Sequence, residues 1–460
     1  MINQNIFRIY DIRGIVDKDL NEQIAELIGR GFGTYLRDRG AKDVVVGHDS
    51  RASSPVYKEA VIKGLKSTGC TVHDSGMTLT SMVYFARKFF NIEGGLMITA
   101  SHNPPQYNGF KLCHGVNSIS GEEIQKVKDI IVSGKFRKGN GEVKKLDIVS
   151  PYFTEIKKRV KVNKKLKIVV DAGNGTAGAF VPEFLKSLGF EVVPLFCDLD
   201  PRYPNHIPDP VGMEYYKELI KKVKGTGADL GLMFDGDGDR VGFVDEKGNI
   251  HLGDTILGLL IRDIVKPKDK VIVELKDSEM VVEETKRLGG TPIFWKTGHA
   301  LLDDKVYEEK AVLCGEMSCH YWVVDNWYCF DDAIYAMART LQIITNSGKP
   351  LSALVAGLPK YESTPEYRVA CLEEKKFQVV SEVSEYFKGV CRDYIDLDGI
   401  RGYVNDGWFL IRASNTQPII SVRCEAKTKK GLENIKALVQ NRINKYSFVN
   451  LDWNRQYDNV

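Results

Sequence analysis

One plan recurs three times along this chain, and it restricts the fold more than any other feature. "DVVVGHDSRASSPVYKEAVIKGLKSTGCTVHDSG" runs as an apolar β-branched stretch, a polar loop, an amphipathic stretch of helical period, a glycine and a second strand-like stretch. "LKIVVDAGNGTAGAFVPEFLKSLGFEVVPLF" and "KVIVELKDSEMVVEETKRLGGTPIFWKTG" repeat that order. Each predicted helix stops at a glycine, Gly69, Gly189 or Gly289, before the next strand. The units recur about every 100 residues, too far apart for a solenoid. The pattern predicts three related α/β domains, each a mixed sheet covered by helices.

The last hundred residues differ. "DGIRGYVNDGWFLIRASNTQPIISVRCEAKT" predicts strands joined by turns, and "GLENIKALVQNRINKY" a closing helix, hence a fourth, α+β domain. A chain of 460 residues exceeds a single core. The expected domains are 1–146, 147–250, 251–363 and 364–460, with "KKLDIVSPY" and "YESTPEY" as connectors. A net charge of +3 argues against a general nucleic-acid or membrane surface and leaves room for local anion pockets. No run of about 18 apolar residues predicts a membrane span, and "MINQNIFRIYDIRG" has no signal-peptide pattern. The nine cysteines are scattered without paired spacing, as expected for reduced thiols in a cytoplasmic protein.

Four short stretches carry chemistry. "TASHNPPQYNGFK" puts Ser101 beside His102 at the end of the apolar run "GGLMITA". Pro104 and Pro105 restrict the loop, and Asn108 and Gly109 are expected to turn the chain so that Lys111 comes back. "ADLGLMFDGDGDRVGFVDE" separates Asp235, Asp237 and Asp239 by single glycines. Three carboxylates this close repel one another unless a cation or arginine neutralises them, and hard oxygen ligands favour Mg²⁺ or Ca²⁺. An EF-hand is excluded, although Glu246 sits at its last liganding position, because Arg240 stands where that loop needs glycine and strand-like runs flank it. "LCGEMSCHYW" places Glu316, Ser318 and His320 at alternate positions, on one face if extended, with groups suited to sugar hydroxyls. "DGWFLIRASNTQPIISVR" sets Arg412, Ser414, Asn415 and Thr416 in a turn that can surround phosphate oxygens.

A fifth motif is a decoy. Gly173, Gly175 and Gly178 follow a strand at GxGxxG spacing, with Asp198 further on, which nominally satisfies a dinucleotide fingerprint. A tight strand-to-helix turn needs small residues in any case, and the two sister repeats lack the fingerprint.

Together "YDIRG", "TASHNPPQYNGFK", "DGDGDR", "WKTGH", "GEMSCH" and "RASNTQP" resemble, in that order and over essentially the whole chain, the α-D-phosphohexomutase family and its phosphomannomutase/phosphoglucomutase group. The resemblance implies four domains around a central cleft. It implies a reversible transfer between the 1- and 6-positions of mannose or glucose phosphates, through phosphorylated Ser101 and a hexose 1,6-bisphosphate that turns end for end. Asp235, Asp237 and Asp239 look like Mg²⁺ ligands, with a phosphoryl oxygen on Ser101 completing the set. Tyr10, Arg13, His102, Lys111 and Arg240 match residues around the reacting phosphate and substrate. Lys276 and His299 match substrate-orienting positions. Glu316 and Ser318 match the sugar-recognition pair, with His320 beside them. Arg412, Ser414, Asn415 and Thr416 match the clamp for the non-reacting phosphate. His102 and Lys111 are both candidates for the proton transfers.

Cys319 departs from the glycine usual in the sugar loop, where φ is expected to be positive and cysteine costly. Met317 favours the mannose/glucose group over the glucosamine group, where glutamine is usual. The expected partners are small hexose phosphates, in a monomer or weak oligomer. The competing functions are a phosphoglucosamine mutase, a metal-dependent sugar phosphatase and a non-catalytic sugar-phosphate-binding protein.

Overall fold

The three repeated units fold around sheets of one design. The structure is a computed structural model and describes residues 2–414 and 417–454. The first sheet runs Ile12–Ile15, Tyr107–His114, Gly94–Ile98, Asp43–His48, Thr71–Met77, Val143–Lys145. Its last four strands are parallel, whereas Tyr107–His114 runs antiparallel to both of its neighbours. The second sheet orders Ile250–His251, Val241–Asp245, Leu230–Phe234, Lys167–Asp171, Glu191–Leu195, again with parallel strands on one side and antiparallel on the other. The third, Thr291–Trp295, Lys270–Glu274, Leu313–Gly315, Tyr321–Val323, is parallel except for its last strand. The fourth sheet is antiparallel throughout and is backed by the helices Lys376–Lys388 and Lys429–Ile443.

The helix stops fall where the glycines predict. Helices Ser54–Ser67, Val181–Ser187 and Glu279–Arg287 are followed by Gly69, Gly189 and Gly289 at φ 87°, 91° and 78°. Each of these glycines donates its N–H to a carbonyl of the last turn at 2.9 Å. "KKLDIVSPY" is not a plain connector: it holds the end of the strand Val143–Lys145 and the start of the helix Val149–Arg159.

One antiparallel pair in every sheet ends in a loop that carries predicted site residues. These pairs are Gly94–Ile98 with Tyr107–His114, Leu230–Phe234 with Val241–Asp245, Leu313–Gly315 with Tyr321–Val323, and Gly407–Ala413 with Ile419–Ala426. A single continuous core runs through the first three domains, from Phe85 through Phe184 to Tyr335. Phe85, Tyr152 and Trp327 meet at its centre with ring separations of 5.3, 5.8 and 6.2 Å. These three domains therefore hold a fixed relation to one another.

The fourth domain has its own core and meets the third through Leu275, Trp408 and Leu410. Two buried arginines dominate that contact. Arg401 lies over the Trp408 ring at 3.5 Å and donates to the carbonyls of Leu275 (2.8 Å) and Asp277 (2.7 Å) and to Glu279 (3.0 Å). Arg423 donates to the Lys276 carbonyl and, at 3.1 Å, to Asp254. Among the described residues no helix is long and apolar enough to cross a membrane, and all nine cysteines are free thiols.

Removing the Arg401 guanidinium leaves two buried carbonyls without donors. Arg401→Ala is expected to cost about 3 kcal/mol at this contact, seen as an earlier urea transition for the fourth domain. Superimposable transitions for variant and parent would remove this role.

Candidate active site

The four hairpin loops converge on one cleft of about 300 Å³, lined by residues of all four domains. Seven arginine and lysine side chains line it against three aspartates and glutamates, so its preferred occupant is an anion.

Ser101 forms the floor. It is buried and sits at φ 51°, a left-handed conformation that costs a non-glycine residue roughly 1–2 kcal/mol. Its Oγ donates to Asp235 Oδ2 at 2.7 Å and lies 3.2 Å from His102 Nδ1. Arg51 holds the strained loop. Its Nη2 donates to the carbonyls of Ser101 and Asn103 at 2.7 Å each, and its Nη1 to those of Pro104 (2.9 Å) and Tyr107 (3.0 Å). Its Nε donates to Asp49 at 3.1 Å. All five N–H groups of the guanidinium are thereby used, and Asp49 supplies the counter-charge this burial requires.

Asn108 and Gly109 do not turn the chain. They lie inside the strand Tyr107–His114, opposite Gly14 and Arg13, and the turn is complete before them. Glycine is needed at 109 for contact: a Cβ there would lie 2.4 Å from the Ile12 carbonyl oxygen.

The carboxylate turn docks on this floor from the second domain. A Cβ at Gly236 would lie 2.4 Å from the Ser101 carbonyl oxygen, so only glycine lets the two loops touch. Asp235, Asp237 and Asp239 are wholly buried, with one oxygen of each within 4.8 Å of the others. Burial and the other two carboxylates push Asp235 well above the usual carboxylate range. Burial acts on Asp239 as well, but Lys111, His320 and Arg240 outweigh it and hold its carboxyl below that range. Lys111 Nζ donates to Asp237 at 2.9 Å and to Asp239, and Thr80 donates to Asp237 at 2.6 Å. Burial pulls the Lys111 ammonium down, yet the facing aspartates raise it overall. Asp237 Oδ1 and Asp239 Oδ1 are buried without a partner, the arrangement a hard divalent cation satisfies. Glu246 lies outside the set: it accepts from Ser352, and strands flank the turn.

The third domain supplies the predicted sugar-recognition residues. Glu316, Ser318 and His320 line the cleft together, but in a tight turn rather than an extended segment: Glu316 N donates to the His320 carbonyl at 3.0 Å, and Cys319 N to that of Glu316 at 2.9 Å. Ser318 Oγ lies 3.3 Å from Glu316 Oε2. Cys319 keeps φ at 72°, so the loop retains a glycine-like shape with a buried thiol in place. Met317 is not among the residues lining the cleft; its sulfur lies 2.9 Å from Arg423 Nη1 of the fourth domain. His320 Nε2 accepts from Arg240 Nε at 2.9 Å, which puts its ring proton on Nδ1, facing Asp331 at 2.9 Å. His299 is buried against Tyr10 with Nε2 unpartnered. Lys276 lies 3.7 Å from Glu274 and 3.5 Å from Glu366.

From the fourth domain, Arg412 is braced by Asp398 at 2.9 Å and lines the cleft with Ser414. Asn415 and Thr416 lie outside the described residues. Arg13, Tyr10, Arg240, Lys276 and His299 all line the same cleft. The glycine fingerprint does not: the N–H of Thr176 is taken by the Gly236 carbonyl at 3.0 Å and that of Asn174 by the Phe196 carbonyl at 2.7 Å. A Cβ at Gly178 would lie 2.2 Å from the Cys197 carbonyl oxygen, so that turn is closed by the protein itself.

Arg51, Thr80, Asp398 and the rim residues Arg8, Glu366 and Arg368 escape motif reading. Arg51 had one available signal: its loop occupies the same place in the first repeat as Lys276 does in the third.

Comparison with known proteins agrees over the full length. Family models of phosphoglucomutase/phosphomannomutase match as alpha/beta/alpha domain I at 4–138, domain II at 150–248, domain III at 252–361 and the C-terminal domain at 366–441. A phosphomannomutase/phosphoglucomutase of Pseudomonas aeruginosa is 40% identical over 95% of each chain. A phosphoglucomutase of Neisseria meningitidis is 39% identical over 96% of this chain and 98% of its own. The crystal structure of a phosphoglucomutase/phosphomannomutase family protein from Burkholderia thailandensis superposes with a TM-score of 0.89 at 38% identity, covering 97% of this chain and 98% of that one.

The positive φ at Cys319 gives a stability test. Cys319→Gly is expected to stay within about 1 kcal/mol of the parent, while Cys319→Val, β-branched in a left-handed conformation, should lose about 2 kcal/mol. Equal stabilities in thermal unfolding would show that the loop does not hold this conformation.

Proposed function

Because this chain belongs to the phosphoglucomutase/phosphomannomutase family, we propose that Ser101 is its phosphoryl carrier and that Asp235, Asp237 and Asp239 hold the Mg²⁺ it works with. The protein is a phosphohexomutase, an isomerase that interconverts hexose 1- and 6-phosphates. The observation that carries the site assignment is the Ser101 hydroxyl, 2.7 Å from Asp235, in a cleft that faces the Arg412 loop. A divalent cation on the three aspartates would neutralise charge on the phosphoryl oxygens.

Phosphoryl transfer asks for in-line positioning and charge neutralisation. With Ser101 phosphorylated, its ester O–P bond breaks as a bond forms from phosphorus to a hexose hydroxyl oxygen. The product is a hexose 1,6-bisphosphate. Burial together with Arg240 and Arg13 holds His102 well below its usual pKa, so its ring is neutral and can take up the hydroxyl proton. Lys111 stays protonated and stabilises negative charge. The bisphosphate then turns, and its other phosphoryl group passes to the Ser101 oxygen while the proton returns to the sugar.

Arg412 and the Ser414–Thr416 loop bind whichever phosphate is not reacting. Glu316 and Ser318 hold sugar hydroxyls in both orientations, aided by Tyr10, Lys276, His299 and His320. The proposed working unit is a monomer or weak oligomer. The proposed domain limits are those of the sequence reading, and the proposed compartment is the cytoplasm.

Phosphorus NMR with Mg²⁺, a trace of bisphosphate and mannose, glucose or glucosamine 1-phosphate tests the reading. The matching 6-phosphate should appear with mannose or glucose; free phosphate instead would identify a phosphatase, and a faster glucosamine reaction the hexosamine mutase. Ser101→Ala should lose all isomerisation while still binding substrate by calorimetry, and near-normal turnover would overturn the carrier assignment. Arg412→Ala should raise KM about 10- to 100-fold, whereas an unchanged KM would remove the clamp. Arg51→Lys replaces five fixed donors with three, and kcat is expected to fall about 100-fold with KM within about threefold. A parallel loss in both constants would mean the loop is not what Arg51 positions.

A further inference from the structure

Most cations of the cleft are already committed. Arg13 is paired with Asp11 at 2.6 Å, Lys276 with Glu366 at 3.5 Å, Arg240 with Asp209 at 3.8 Å and Arg412 with Asp398 at 2.9 Å. Arg368 differs. It lines the same cleft and is exposed, and among the described residues its guanidinium has no hydrogen bond and no ion pair. It stands on the strand Tyr367–Ala370, opposite Ser421, which also lines the cleft. It lines the cleft together with His102 of the first domain and Val211 of the second. Arg8 is likewise exposed and unpaired on the rim, but it belongs to the first domain, whose place beside Ser101 is fixed. Arg368 comes from the domain with a separate core, which can move with respect to the other three.

We infer that Arg368 retains the hexose bisphosphate while it turns. This rests on the mutase reading above. A bound monophosphate has cations waiting at both ends, around Ser101 and at Arg412. During the turn both phosphates leave those positions together. The turning ligand carries roughly twice the negative charge of the monophosphate, and among the described residues lining the cleft Arg368 is the fourth-domain cation without an ion pair. Escape at that stage leaves Ser101 without its phosphoryl group, and the enzyme then stays inactive until bisphosphate binds again. An unpaired rim charge therefore acts on the intermediate far more than on the monophosphate substrate.

The test uses the full-length enzyme, phosphorylated on Ser101 as checked by intact mass. It is mixed with hexose 1-phosphate, and free bisphosphate is measured by phosphorus NMR after rapid filtration. R368Q is expected to release about five- to tenfold more bisphosphate per turnover and to need about as much more added bisphosphate for half-maximal rate. The KM for the monophosphate should stay within about twofold, and R368K should return most of the retention. Added salt should increase release from the parent more than from R368Q, because an exposed charge is screened. Equal release from R368Q and the parent overturns the inference, as does a raised monophosphate KM with unchanged release. If the parent forms no bisphosphate, the mutase route itself fails, an outcome visible before any variant is compared.

Discussion

Three carboxylates buried at one point are the constraint the rest of this molecule answers. Asp235, Asp237 and Asp239 lie on a single turn, away from water, within 4.8 Å of one another. At that spacing and in that medium their repulsion is too large for one domain to absorb. Its relief comes from elsewhere: Lys111 and Thr80 reach in from the first domain, and Arg240 is oriented by His320 of the third. The continuous core across three domains follows from this, because a lysine displaced by a few ångströms would leave the acids uncompensated. The carboxylate oxygens still without partners are the ones that would take a cation.

The hairpin turn is the device that makes this possible. Each sheet ends an antiparallel pair at the cleft, so every domain offers a short loop held at both ends by paired strands. Such loops can carry strain. Ser101 and Cys319 both sit at positive φ, and both loops are fastened by bonds from outside themselves or across their own base. In the serine loop the fastening is Arg51, whose saturated guanidinium fixes four carbonyls around the turn and leaves the hydroxyl to Asp235. That arrangement places the strain on the residue proposed as phosphoryl carrier.

These relations mark how far a sequence can be read. The repeats, the glycine stops and the carboxylate loop are local patterns with local causes, and all are legible. Asn108 and Gly109 mislead because an Asn-Gly pair signals a turn on its own, whereas here Gly109 is required by the Ile12 backbone pressing against it, a contact set by tertiary structure. Met317 marks the mannose/glucose group by its type alone, and its contact with Arg423 of the fourth domain is set by tertiary structure. Arg51 stays invisible because the four carbonyls that it binds are scattered over residues 101 to 107, and backbone acceptors carry no signature. The fingerprint at Gly173 fails for the converse reason: its spacing is right, but its N–H groups are spent on the neighbouring loops.

The contact between the third and fourth domains carries the argument one step further. Arg401 binds the carbonyls on either side of Lys276, and Arg423 binds the Lys276 carbonyl itself. The segment that presents Lys276 to the cleft is thus held by the same sheet that presents Arg412 to it. Trp408, packed under Arg401, makes that sheet and segment one body at this point. A displacement of the fourth domain that carries Arg412 away from the cleft must therefore either pull Lys276 with it or break two buried, charged hydrogen-bond sets. The former is the cheaper path, since a loop of a few residues yields more readily than a buried guanidinium surrenders its partners. Movement of Arg412 and movement of Lys276 in the cleft are for that reason a single mechanical event.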